Sequence, residues 1–119
     1  MKNLFLVAAF MLIADLATAQ ILSVEPHTSS SLRIKKEDGS VKDISITNRE
    51  FLGYSSGVIA MQVNSNTIQM FDANGIRVGS INYMQPGWYF HSAMGNEVRI
   101  KTPTSIRRYS SSGQYLGTL

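Results

Sequence analysis

His27 and His91 are the only imidazoles in a chain of 119 residues without cysteine. Thiol chemistry and thiolate metal sites are therefore excluded, and a serine nucleophile has few bases to call on. Serines are plentiful, but none sits in a G-x-S-x-G elbow, and Tyr54-Ser55-Ser56-Gly57 and Ser110-Ser111-Ser112-Gly113 read as turns. Glycoside hydrolysis needs two carboxyls converging across a cleft. The acids beyond residue 19 are Glu25, Glu37, Asp38, Asp43, Glu50, Asp72 and Glu97, and three of them, Glu37, Asp38 and Asp72, fall at turns. No H-x-H or H-x-x-E pair occurs, so the residue types point away from an enzyme and from a resident metal or cofactor. What remains is aromatic: Tyr83, Trp88, Tyr89, Phe90 and His91 gather around the Pro86-Gly87 turn. On a strand Trp88, Phe90 and Ser92 share one face and Tyr89 and His91 the other, so one aromatic face is expected at a surface. Trp88, Tyr89, His91 and Tyr83 are thus the candidate binding residues, for a protein partner or for a glycan stacked on the rings. The competing expectation is that Trp88 plugs the core.

The elements that would carry these residues are strands. Eleven runs of β-formers, from Ile21–Glu25 to Gln114–Leu119, are separated by turn residues, and no window shows the i, i+3, i+4, i+7 spacing of a helix beyond the first nineteen residues. Asp38-Gly39, Asn74-Gly75 and Ser112-Gly113 supply the positive φ that tight hairpins demand, which makes Gly39, Gly75 and Gly113 structural turn positions. The hairpins are also copies of one another. An offset of 38 sets Ile68, Phe71, Gly75, Val78, Gly79 and Ile81 on Ile106, Tyr109, Gly113, Leu116, Gly117 and Leu119. An offset of 39 sets Phe51, Ile59, Met61 and Val63 on Phe90, Val98, Ile100 and Thr102. A first, shorter copy places Leu22 and Val24 at the positions of Ile59 and Met61, Leu32 at Ile68 and Gly39 at Gly75, and lacks the run that precedes these. Units of about 20–47, 48–83 and 84–119 follow. Such repeats stack because no single copy can bury its apolar face alone.

Alternation assigns an inward side. It places Val24, Leu32, Ile34, Ile44, Ile46, Phe51, Ile59, Met61, Ile68, Met70, Val78, Ile81, Tyr89, Val98, Ile100, Ile106, Leu116 and Leu119 in the core. The fold expected is all-β, an antiparallel meander of about eleven strands in three repeated units. It could be arranged as a barrel, a two-sheet sandwich, a trefoil or a propeller-like array.

The string TIQMFDANGIRVGSI at Thr67 to Ile81 resembles the last two strands of an NHL-type propeller blade, whose pattern is R-I-x-x-F-D-x-x-G-x-x-x-x-x-I. Ile68, Phe71, Asp72, Gly75 and Ile81 match, and Thr67 takes the place of the Arg. The copy at Ser105 to Leu119 keeps Ile106, Tyr109, Gly113 and Leu119 and has Ser110 for the Asp. The resemblance implies blade-like hairpins. Propellers need about four to eight four-stranded blades, so three units would have to pair as a homodimer into a ring, or curl into a self-contained sheet protein. The self-contained chain ranks first, because the degraded repeat argues against strict ring symmetry.

Residues 1–19 place Lys2 before an apolar stretch from Leu4 to Ile13 and end in Ala17-Thr18-Ala19, the pattern of a cleaved signal peptide. The apolar run is shorter than the roughly 20 residues of a spanning helix, so no stable membrane insertion is expected after cleavage. A single all-β domain, 20–119, would be delivered to the periplasm or beyond the cell. The net charge of +3 is unchanged by cleavage, since Lys2 and Asp15 leave together. The cations are strewn along the chain rather than gathered, which with export argues against nucleic acid. Without disulfides, the fold must rest on its apolar core and sheet hydrogen bonds. The sequence thus describes a small exported β-repeat protein, a structural or protein-interaction module acting through an unknown protein partner or self-association, with glycan binding as the alternative.

Overall fold

The structure, a computed structural model, describes residues 19–119; the signal-peptide expectation, Ala19 apart, falls on residues that lie outside these. Eleven strands form three antiparallel meanders. The first sheet holds β1 (Ile21–Thr28), β2 (Ser31–Lys36) and β3 (Val41–Ser45). The middle sheet holds β4 (Glu50–Tyr54), β5 (Ile59–Asn64), β6 (Thr67–Phe71) and β7 (Arg77–Ile81). The last holds β8 (Tyr89–Met94), β9 (Glu97–Lys101), β10 (Ile106–Ser110) and β11 (Tyr115–Thr118). Within each sheet every strand pairs with its neighbours in sequence, as short hairpin connections require.

The sheets stack face to face with the middle one enclosed. One core joins Ile21, Val24, Leu32, Ile34 and Ile44 of the first sheet to Ile59, Met61 and Phe71 of the middle sheet. The other joins Val58, Ala60, Ile68, Met70 and Ile81 to Val98, Ile100 and Tyr109 of the last sheet, with Met84 from the connection between them. In β5 the consecutive residues Ile59, Ala60 and Met61 are all fully buried, because alternate side chains enter different cores. A strand buried on both sides reads as a continuous apolar run rather than an alternating one.

Registers superpose the three sheets and explain their composition. Val24 pairs with Ile34 as Ala60 pairs with Met70, and Ser23 pairs with Lys35 as Ile59 pairs with Phe71. The first sheet therefore carries Ser23, Glu25, Arg33 and Lys35 where the middle sheet carries Ile59, Met61, Gln69 and Phe71, on the side where no described residue covers it. At the other end, Glu97, Arg99 and Arg108 of the last sheet take the places of Val58, Ala60 and Met70, again facing away from the stack. Repeat arrays need polar outer faces on their terminal units, and both ends here are laced by ion pairs. Arg33 meets Asp43 at 3.0 Å and Lys35 meets Glu25 at 3.3 Å at one end; Arg108 and Arg99 meet Glu97 at 2.7 and 2.8 Å at the other.

Four core expectations need correction. Val78, Leu116, Tyr89 and Leu119 are exposed. Val78 and Leu116, equivalent in the repeat, belong to β7 and β11, which pair on one side only. Tyr89 pairs with Lys101 on the outer face of the last sheet, where no further layer covers it, and Leu119 lies beyond the last strand. Ile46, Phe51 and Ile106 are half-buried, whereas Ile21, Val58, Ala60, Phe71, Met84 and Tyr109 join the core. Phe71 and Tyr109, equivalent in the repeat, are both buried. The first copy is also shifted: a register irregularity between Ile21 and Ser23 turns Ile21 inward, leaves Leu22 64% exposed, and brings Val24 to the position of Ala60 rather than Met61.

Candidate functional site

Trp88 and Tyr89 diverge as the alternation requires. Trp88, just before β8, is half-buried and packs on the core between the middle and last sheets. Its ring lies under the guanidinium of Arg107, 4.8 Å from the ring centroid, and the same guanidinium stands 5.7 Å from the Tyr109 ring and 4.3 Å from the Tyr115 ring. The Arg107 Nε–H also donates to the Tyr109 hydroxyl at 2.8 Å. Arg107 thus closes the open margin of this core with a cation–π stack, its guanidinium set over the rings. A sugar ring would have to displace Arg107 to reach that face of Trp88. Tyr83 and Tyr89 are 60% and 57% exposed, and His91 is exposed where the β8–β9 register slips between Phe90 and Ser92. The aromatic contacts among the described residues are Phe51–Tyr54 and Tyr109–Tyr115, so the four candidate residues make no shared ring platform. Trp88→Ala is expected to cost about 2–3 kcal/mol, below the roughly 3–5 of a fully buried aromatic, as read by denaturant melts. Arg107→Ala should lose about 1 kcal/mol of the same seam.

Gly39, Gly75 and Gly113 all have positive φ, 87°, 75° and 90°. Their surroundings differ in an ordered way. A Cβ on Gly113 would meet the Ser80 carbonyl oxygen of the middle sheet at 2.2 Å, one on Gly75 would meet Ile44 of the first sheet at 3.6 Å, and one on Gly39 would meet nothing. Each outer hairpin turn leans on the preceding sheet, and the first sheet has none to lean on.

The short first copy, which lacks its first run, marks a further place that the sequence alone did not single out as a candidate site. The middle and last sheets begin with β4 and β8, which lie side by side, and the Phe90 ring on β8 fits against Gly53 on β4, within 3.0 Å of where a Cβ would be. Phe51 on β4 is the repeat equivalent of Phe90 and likewise faces the preceding sheet, here the first. There no corresponding strand occurs among the described residues, in which β1 is the edge of the first sheet. Phe51 is only half-buried and Tyr54 stacked beside it at 6.4 Å is 39% exposed. The Ile21 N–H donates to the Ser56 carbonyl at 2.8 Å, and beyond it no strand among the described residues pairs with the outer edge of β1. The signal in the sequence was the short first copy itself.

The acid–base groups serve the ends of the stack. Glu97, with its side chain 15% exposed, accepts from Arg108 through Nη2 at 2.7 Å and from Arg99 through Nε at 2.8 Å. These bonds hold its carboxyl at about 2, well below the usual carboxylate range. Asp43 is lowered by its bond from Arg33, and Asp38 by its bonds from the Ser40 hydroxyl and N–H. A carboxyl lowered in the folded state stabilises the fold above its unfolded pKa and loses that contribution as it protonates. Stability is therefore expected to be level from pH 7 to about 5 and to fall between about 4.5 and 2. Glu97→Gln should flatten part of that decline in acid melts. Among the described residues no group of three or more His, Asp or Glu side chains is placed to hold a metal ion. A shallow polar cavity of about 250 Å³ lies where the turns meet, lined by residues including Gln20, Ser56, Asp72, Asn74 and Asn96.

Comparison with known proteins finds no matching family model, no similar curated protein and no similar solved structure.

Proposed function

We propose that this chain is a small exported structural or protein-interaction module that works in the periplasm or outside the cell, without catalysis. The observation that carries the reading is the unfinished first sheet. Among the described residues two sheets of the stack have four strands and the first has three, which leaves one strand position open, edged by β1 and floored by half-covered aromatics. Open edges offer main-chain hydrogen bonds to another polypeptide, the basis of recognition by strand addition. The stacked meanders suit the blade-like hairpins implied by the NHL resemblance. The ion-paired end faces favour a self-contained stack over a ring of two chains, whose joints would bury those charges at a desolvation cost.

Photo-crosslinking side chains placed at Leu22, Val78 and Leu116, on the edge strands β1, β7 and β11, should give protein adducts from at least one position in the exporting cell. Absence of adducts from all three, together with a saturable change in Trp88 fluorescence on adding saccharides, would overturn the reading in favour of a glycan-binding module. A native product whose intact mass retains residues 1–19 would remove the exported part of it.

A further inference from the structure

We propose that the open strand position beside β1 takes a lone extended segment of a partner protein. That segment runs antiparallel to β1 and places a glycine or other small residue over Phe51. The inference deepens the interaction-module reading and rests on it. The internal equivalence of the three sheets shows twice what the described part of the first sheet lacks.

In the middle sheet, β4 occupies this position and pairs with β5 through Glu50–Gln62, Phe51–Met61, Gly53–Ala60 and Tyr54–Ile59. The matching stretch of β1 is Ser23 to Pro26, because Val24 pairs with Ile34 as Ala60 does with Met70, and Pro26 with Leu32 as Gln62 does with Ile68. Pro26 has no N–H to give an added strand, and it falls where β4 itself ends, so the open edge is about one β4 in length. The side-chain requirement comes from the neighbouring seam. Phe90 lies against Gly53, where an added Cβ would already be 3.0 Å from its ring. Phe51, the equivalent ring one sheet earlier, faces the position of the missing strand in the same way. The residue entering over it must be as small as Gly53, with apolar neighbours to cover Tyr54 and the exposed Leu22.

The surroundings exclude a second copy entering by its own β1. Antiparallel pairing of two β1 strands about a two-fold axis puts both middle sheets on one face of the joined sheet, and each β4 then competes for the space under the other chain's β1. A single strand with nothing stacked on it meets no such conflict.

The probe is a synthetic peptide of residues 48–56, which carries the β4 sequence and hence the complement the position is expected to want. Added to residues 20–119, it should bind one to one and saturably, and slow amide exchange in β1 while leaving β3, β7 and β11 unchanged. The same peptide with Gly53→Val should bind at least tenfold more weakly. The protein variant Tyr54→Ala, which leaves the buried residues of both cores in place, should weaken the wild-type peptide as well. Three results would overturn the proposal: no binding up to millimolar peptide, equal binding of the Gly and Val peptides, or protection at another edge. So would slow β1 exchange without peptide, whether the chain is then dimeric or is the full 1–119 chain filling the position itself. If the peptide fails while crosslinks form at Val78 or Leu116, the interaction module stands and only this position is wrong.

Discussion

Phe71→Ala and Tyr109→Ala are expected to be the most damaging single truncations, each costing about 3–5 kcal/mol. The two residues are repeat equivalents, one in each core, and are 3% and 0% exposed. Phe71 also lies beneath the Arg49 guanidinium at 4.9 Å, and Tyr109 beneath Arg107. A domain of this size has a total stability of about 5–15 kcal/mol, so either change removes a large share of it. Denaturant melts should show both variants near the edge of folding. A loss below about 1 kcal/mol in either would mean that its core is not built as described.

The second large effect is a graded one, across three turn glycines of like backbone. Positive φ alone disfavours an L side chain by about 1–2 kcal/mol, and that is the expected cost of Gly39→Ala, whose Cβ would enter open space. Gly75→Ala adds ordinary contact with Ile44 and should cost about the same. Gly113→Ala forces a Cβ to 2.2 Å from the Ser80 carbonyl oxygen, so the β10–β11 turn must lift from the middle sheet. It should cost the backbone strain plus part of that seam, about 3 kcal/mol or more. Gly79→Ala approaches the same seam from the other side, meeting the Ser112 backbone at 2.3 Å, and should fall with Gly113→Ala. Equal losses at Gly39 and Gly113 would contradict the stacking of the last sheet on the middle one.

The repeated hairpins made much of this legible in the sequence. Their spacing and Asx-Gly or Ser-Gly turns place eleven strands in three units, and the missing first run of the first copy appears as a three-stranded sheet. The limits of legibility have physical causes. Period-two alternation assumes one buried face, so it took Val78 and Leu116 as core although their strands pair on one side only, and it passed over Val58 and Ala60, which enter the second core of a doubly covered sheet. The irregularity at Ile21 to Ser23 exchanged Leu22 for Ile21, because one extra residue reverses every later side chain of a strand. The aromatic candidates were recognised by type, but sequence could not show that Arg107, nineteen residues from Trp88, would cover its ring. The charges were legible only once the stack was known. Glu97, Arg99 and Arg108 look like any half-exposed strand until their equivalents, Val58, Ala60 and Met70, are seen to be buried.

Residue-resolved amide exchange of the isolated chain 20–119 tests the central claim most directly, because it asks each strand how many neighbours it has. The stack predicts the slowest exchange in β5 and β6, paired on both edges and covered on both faces, and near-unprotected exchange for the outward-facing amides of β1 between Leu22 and Glu25. Protection of those β1 amides equal to that of β5 would contradict an open strand position, and with it the basis for a partner at that edge.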